Sequence, residues 1–177
     1  MEQWDIFDKS GQTTGKTVTR GRIALNKDEY HLVVHIWIIG SDGQLLVQRR
    51  SDSKPLMPGE WAATGGAAIS GETSLQAAQR ELLEELGIDT YNGNIKFVHR
   101  IVRKNSFVDI YLVHTDITVR DLKIQTSEVA AAKWVHRNKL RHMIRNGEFH
   151  NYGKDYFDVI FSSFEKKNVL KGRCFYE

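Results

Sequence analysis

One segment, from Gly65 to Ile88, most strongly constrains how this chain can fold. It begins with paired glycines, which allow a tight bend, and continues as a run of residues with helical spacing. Thr73 is a suitable N-cap and Gly87 a suitable stop, so the pattern predicts a helix over residues 73–86. We expect its core-facing stripe to consist of Leu75, Ala78, Leu82 and Leu86.

Three carboxylates share another face of the same helix. At about 100° per residue, Glu84 and Glu85 flank Glu81 on its two sides. Like charges at this spacing repel one another, and clustered carboxylate oxygens are the ligands that Mg²⁺ and Mn²⁺ prefer. Arg80 can reach back toward Glu72 and brace the start of the helix. Taken alone, the glutamates also fit an ordinary solvated acidic face.

Short apolar runs separated by turns predict a sheet built largely from hairpins. The predicted strands are His31–Ile39, Gln44–Arg49, Ile95–Val102, Phe107–Thr115 and Ala130–Val135. Further helices are predicted over Asn138–Arg145 and Asp155–Lys166. This interleaving favours one α/β domain with helices packed on a mixed sheet.

The composition excludes several classes of protein. A chain of 177 residues can bury a core without a metal or disulfide staple, and its net charge of +3 is too small and dispersed to indicate nucleic-acid binding. Its lone cysteine, Cys174, cannot form an internal disulfide. The acidic, aromatic start does not look like a signal peptide, and no apolar run approaches the roughly 18 residues of a membrane helix. We therefore expect a cytoplasmic protein without a membrane span.

The joint pattern overturns the interpretation as a plain acidic face. Gly66, Glu72 and the run from Arg80 to Ile88 stand at the spacing of the Nudix hydrolase signature, and the chain resembles that family over most of residues 30–165. The resemblance implies an α/β/α sandwich that uses a divalent metal, Mg²⁺ or Mn²⁺, to activate water against a diphosphate bond. The implied substrate is a nucleoside diphosphate linked to another moiety, or a related organic diphosphate, and a homodimer is an expected assembly.

The resemblance also assigns roles by position. Glu81, Glu84, Glu85 and the carbonyl of Gly65 become the metal ligands. Gly66, Glu72 and Arg80 become the structural support of the site. In this family the general base varies, and two candidates stay open here: Glu81, and Glu128 on a later loop, which could instead only cap that loop.

Candidate contacts to the substrate lie near the proline-containing loop. Arg49, Arg50 and Lys54 follow a predicted strand, where they could meet phosphates or simply be solvated. Trp61, beside the glycine loop, could stack on substrate or belong to the core.

The N-terminal part resembles a different branch of the same fold, the isopentenyl-diphosphate isomerases. The residues that carry this likeness are the run Trp4–Asp8 with Gly15 and Arg20, His31–Leu32, Gln48–Arg50 and Pro58–Trp61. Those isomerases need a cysteine and then a histidine shortly after the tryptophan, and Trp61 is followed by neither. Hydrolysis is therefore favoured over isomerisation, with a catalytically silent nucleotide-sensing module as the other alternative. The likeness also predicts an extra β-hairpin over residues 4–22, inside an extension of residues 1–25, and residues 166–177 are predicted to form a basic tail.

Overall fold

The protein is described by a computed structural model that covers residues 2–21 and 25–171, with side chains to residue 164. The end of the predicted hairpin extension and most of the predicted tail, including Cys174, lie outside the described residues. No helix in the described ranges is long and apolar enough to cross a membrane.

The chain forms nine strands and three α-helices within the described ranges. In chain order the strands are β1 (Gln3–Phe7), β2 (Thr13–Thr19), β3 (His31–Ile39), β4 (Leu45–Arg50), β5 (Trp61–Ala62), β6 (Thr64–Ala67), β7 (Ile95–Val102), β8 (Ser106–His114) and β9 (Val129–Val135). The helices are α1 (Ser74–Leu86), α2 (Arg137–Arg145) and α3 (Lys154–Lys171). All predicted strands and helices are present, with ends displaced by a few residues, and α3 continues beyond the predicted end.

The main sheet is mixed and forks at its centre. β3 pairs in parallel with β8, and the other pairings in this sheet are antiparallel. β3 and β4 pair only at Ile38–Ile39 and Leu45–Leu46. Beyond that point β6 continues along β3, and β5 continues along β4. The fork therefore opens a gap in the sheet beside the glycine-rich loop.

Helices cover both faces of this sheet, which confirms the predicted sandwich. α1 packs on one face through Ala77, Ala78, Leu82 and Leu86. α2 and α3 pack on the other through Leu140, Met143, Tyr156 and Ile160. The extra hairpin is present as β1 and β2, which form a separate antiparallel pair.

The caps of α1 lie where the sequence predicts them, whereas one residue predicted to be in the core is exposed. Thr73 caps α1 in a capping box completed by Gln76, and Gly87 ends it with φ of 70°. Leu75, predicted to be in the core, is 42% exposed. It lies in the first turn, whereas burial begins at Ala77 and Ala78, whose small side chains let α1 approach β3 and β6.

Candidate active site

Arg80 ties the loop before α1 to the helix. Its Nε and Nη2 atoms donate to the two carboxylate oxygens of Glu72 at 2.7 and 3.0 Å, and Nη2 also donates to the carbonyl of Ala67 at 3.1 Å. Glu72 in turn accepts from the backbone N–H of Ile69 at 2.9 Å. A bidentate arginine–carboxylate pair of this kind fixes geometry as well as adding energy, so the loop is held firmly on the helix.

The two glycines of this loop lie against backbone and carboxylate, where no side chain fits. A Cβ on Gly65 would overlap the carbonyl oxygen of Val34 in β3, and one on Gly66 would overlap the carboxylate of Glu81. The loop therefore brings its backbone against β3 and against the acidic face of α1 at the same time.

Glu85 is a buried carboxylate at the fork of the sheet, only 3% exposed. It accepts a hydrogen bond from Gln48 Nε2 at 2.9 Å, and Gln48 in turn accepts from Thr64 Oγ1 at 3.1 Å. Burial, followed by the charge of Glu81, raises the pKa of Glu85 to about 8. The predicted acidic face therefore does not point entirely to solvent.

Glu81 and Glu84 share one partner, the guanidinium of Arg80. Arg80 Nη1 donates to Glu81 Oε1 at 2.9 Å and to Glu84 Oε2 at 3.1 Å. Burial raises the pKa of Glu81, while the Arg80 charge acts in the opposite direction. The Glu81 side chain is 13% exposed and that of Glu84 is 51% exposed, so the acidic face runs from the interior to solvent.

These carboxylates line one cleft of about 190 Å³, together with residues from four other parts of the chain. The lining residues are Glu2, Arg20, Arg50, Gly65, Gly66, Ala67, Arg80, Glu81, Glu84, Glu85, Gln125 and Glu128. The structure thus brings the predicted ligands and both candidate bases to one cleft with two of the predicted support residues, Gly66 and Arg80, while Glu72 contacts the cleft only through Arg80.

The predicted substrate contacts divide between two faces of the sheet. Arg50 lines the cleft and lies 3.9 Å from Glu128, and Lys54 reaches the same carboxylate at 2.5 Å. Arg49 instead bonds to Asp52 and to the Gly59 carbonyl.

Trp61 pairs with Arg49 across β4 and β5 and packs beneath Lys133, whose Nζ lies 3.7 Å from the ring centroid. Trp61 contacts the core on the α2–α3 side, and neither it nor Arg49 lines the cleft.

Several residues in or beside the cleft were missed from the sequence. Gln48 does not itself line the cleft but donates to Glu85, which does; its position directly after the apolar run Leu45–Val47 is a signal of an inward polar contact. Arg20 and Glu2, which pair at 2.8 Å, reach the cleft from the N-terminal hairpin. Their approach is a tertiary contact that local spacing does not encode.

The donor set fits a hard divalent cation. Arg80 occupies one oxygen each of Glu81 and Glu84, which leaves the other oxygen of each carboxylate for a metal. Glu85 is buried with an amide as its side-chain partner, so a cation would offset both the burial and the Glu81 charge that raise its pKa. Within the described ranges no group of three acidic, histidine or cysteine side chains is arranged to hold a metal by itself.

The chain is similar to known proteins in sequence as well as in fold. The NUDIX domain family matches residues 29–154. A Nudix hydrolase of Listeria innocua, itself uncharacterized, is 41% identical over 86% of this chain and 90% of its own length. The nucleoside triphosphatase NudI of Escherichia coli is 31% identical over 59% of this chain and 82% of its own length.

A solved structure has a similar fold. The crystal structure of DR0079 from Deinococcus radiodurans superposes with a TM-score of 0.75 and 27% identity, covering 89% of this chain and 97% of that one. Fold and sequence relatives together define a hydrolase. The chain belongs to the Nudix hydrolase family, whose members generally use divalent metal ions.

Proposed function

We propose that this protein is a Mg²⁺-dependent pyrophosphohydrolase, with Mn²⁺ as an alternative metal. Its substrate is a nucleoside diphosphate linked to another moiety, or a related organic diphosphate. The observation that carries the proposal is the cleft that the buried Glu85 and the partly buried Glu81 line together with the cationic side chains of Arg50 and Arg20. One side suits a metal, and the other suits phosphate oxygens.

In this proposal Glu81, Glu84, Glu85 and the carbonyl of Gly65 hold the metal. When bound, the metal supplies charge neutralisation on phosphate oxygens and a lowered pKa of water. Arg80 and Glu72 keep the loop carbonyl and the helix carboxylates at fixed separation. Arg50 and Lys54 would exchange their contacts with Glu128 for contacts with the substrate phosphates, because a diphosphate carries more negative charge than one carboxylate.

The identity of the general base is a second part of the proposal, with Glu81 and Glu128 as the candidates. Glu81 is also a proposed metal ligand, so Glu81→Gln should weaken metal binding and turnover together. Glu128 becomes free to accept a proton once Lys54 and Arg50 turn to the substrate. If Glu128 is the base, Glu128→Gln lowers kcat at unchanged metal affinity. If kcat is unchanged, Glu128 only caps its loop.

The experiment is a coupled phosphate-release screen with Mg²⁺, with Mn²⁺ and with EDTA. The panel contains nucleotide sugars, ADP-ribose, dinucleoside polyphosphates, coenzyme A, nucleoside triphosphates and isoprenoid diphosphates. We expect turnover only with metal and its loss in Glu85→Gln. Glu148→Gln, which removes an exposed carboxylate paired with Lys139, is the matched control and should retain activity.

Two results would redirect the assignment. Metal-dependent nucleotide binding without turnover across the panel would favour the nucleotide-sensing module. Conversion of isopentenyl diphosphate to dimethylallyl diphosphate would favour the isomerase, and we expect none because Ala62 and Ala63 follow Trp61. The relationship to a nucleoside triphosphatase supports a nucleotide substrate. Cytoplasmic location and a homodimer stay predictions.

A further inference from the structure

A second cavity lies between α2 and α3, on the face of the sheet opposite to α1. Its volume is about 420 Å³, and it shares no lining residue with the active-site cleft. Ile144, Phe157 and Phe161 form its apolar floor. The polar lining residues are Arg141, Arg145, Asn151, Lys154 and Asp158. A cavity of this size with an apolar floor and a few polar groups is typical of a small-molecule site.

The arginines of α2 lie along one side of the helix, toward α3. Arg137, Arg141 and Arg145 are spaced four residues apart, so their side chains follow one another along that side. The guanidinium of Arg141 lies 3.8 Å from the ring centroid of Phe161, and that of Arg137 lies 5.1 Å from Phe164. Stacking uses the flat face of a guanidinium and leaves the N–H donors at its edge available.

In the described part of the chain, Arg141 and Arg145 lack the ion pair that five other arginines of the fold make. A carboxylate partner is present for each of Arg20, Arg49, Arg50, Arg80 and Arg100. Among the side chains the structure describes, none forms a hydrogen bond or ion pair with Arg141 or Arg145. Asp158, the acidic residue of the cavity lining, is already paired with Lys154 at 2.5 Å. Within residues 2–21 and 25–164, whose side chains are described, the cavity lining therefore carries two positive charges without a carboxylate partner.

We propose that this cavity binds a small organic anion whose apolar body lies on Ile144, Phe157 and Phe161. Its carboxylate or phosphate head would accept hydrogen bonds from Arg141 and Arg145. Apolar contact supplies affinity without direction, and the guanidinium edges supply the preference for a planar or tetrahedral anion. The inference does not depend on the hydrolase assignment, because no residue of the metal cleft takes part.

Fluorescence titration with anilinonaphthalene sulfonate, an aromatic anion, tests the proposal. We expect one saturable site per chain. Arg141→Gln and Arg145→Gln should each weaken binding by about tenfold, the scale of one charge-assisted hydrogen bond. Arg120→Gln is the control. It removes an exposed arginine of the turn Val119–Asp121, which does not line the cavity, and it should leave the affinity for the probe unchanged.

A neutral analogue of the probe separates the contribution of the anionic head group to binding from that of the apolar body. Phenyl naphthylamine should bind wild type and the two arginine variants equally, whereas Ile144→Trp, which fills the cavity, should weaken both probes. Phenylacetate and phenyl phosphate, which share a phenyl body, should displace the sulfonate probe, and the one that displaces it at lower concentration identifies the preferred head group. Inorganic phosphate alone should not displace it at those concentrations.

The titrations are repeated with Glu85→Gln in EDTA, so that failure of the metal site cannot be mistaken for failure of this one. Equal probe affinity in wild type and in the Arg141→Gln, Arg145→Gln double variant would overturn the proposal. So would binding of several probes per chain, or equal weakening by Arg120→Gln.

Discussion

Replacing Glu85 with glutamine should stabilise the metal-free protein at high pH. Glu85 is 3% exposed, and its pKa in the folded protein is about 8, against 4.5 as the ordinary value. The folded state therefore holds this proton more tightly than the unfolded state does. The stabilising contribution of the protonated carboxyl is complete below pH 4.5 and is lost as the pH rises through about 8.

The magnitude follows from the same two values. A tenfold change in an acid constant corresponds to about 1.4 kcal/mol, so ionising Glu85 in the fold costs up to about 4 to 5 kcal/mol. Glutamine cannot ionise, and its amide oxygen can still accept from Gln48 Nε2. At pH 9 in EDTA we expect Glu85→Gln to be more stable than wild type by about 3 kcal/mol, roughly 6 to 12 °C in Tm for a chain of this length. At pH 5 the two should unfold together.

The assay is urea and thermal unfolding followed by circular dichroism at pH 5, 7 and 9, with EDTA and with Mg²⁺. Glu84→Gln is the matched control, because the Glu84 side chain is 51% exposed and its removal should change stability by less than about 0.5 kcal/mol. Mg²⁺ at a hundred times its Kd should stabilise wild type by about 2.7 kcal/mol and Glu85→Gln by much less. A stability difference between wild type and Glu85→Gln that does not change with pH would refute the reasoning.

Three further changes test the support of the site and its phosphate side. Arg80→Lys keeps the charge but loses the bidentate pair with Glu72, so urea unfolding should show a loss of about 2 kcal/mol; unchanged stability would contradict that role. Gly65→Ala should lose about 1 to 3 kcal/mol in the same assay, because its Cβ would overlap the carbonyl of Val34, and an unaffected protein would show that the loop can move aside. Lys54→Met should raise KM about tenfold at nearly unchanged kcat in steady-state kinetics, and a loss confined to kcat would exclude a binding role.

Local pattern was enough to predict the elements and part of the site. The cap at Thr73, the stop at Gly87 and the strand at His31–Ile39 depend on residues close together in sequence, and all three are present. The pair of Glu72 and Arg80 was expected for the same reason, since Arg80 follows Glu72 by eight positions, across the helix cap and nearly two turns of α1. Tertiary contacts were not accessible in this way.

The substrate contacts illustrate the limit. Arg49 and Arg50 are neighbours on a strand, and neighbouring strand residues point to opposite faces of the sheet. Only the register of β4 against β5 and β9 decides which of them meets the cleft, and that register places Arg50 there. Trp61 pairs directly with Arg49 and so lies with it on the other face. The sequence around Arg49 and Arg50 would read the same whichever of the two faced the cleft, so it could not distinguish them.

The fork in the sheet explains why the buried carboxylate is tolerated. Where β3 and β4 separate, the side chain of Thr64 donates to Gln48, and Gln48 donates to Glu85. These two hydrogen bonds form a buried polar chain that ends on the Glu85 carboxylate. An amide can accept and donate but carries no charge, so it satisfies the hydrogen bonds of Glu85 without neutralising it. The fold therefore fixes the position of the Glu85 carboxylate, and the negative charge of its ionised form is left for a bound cation to balance. Above about pH 8, where Glu85 is ionised, a site arranged in this way has lower stability when empty than the same fold with a neutral residue, and it recovers that stability when a cation binds.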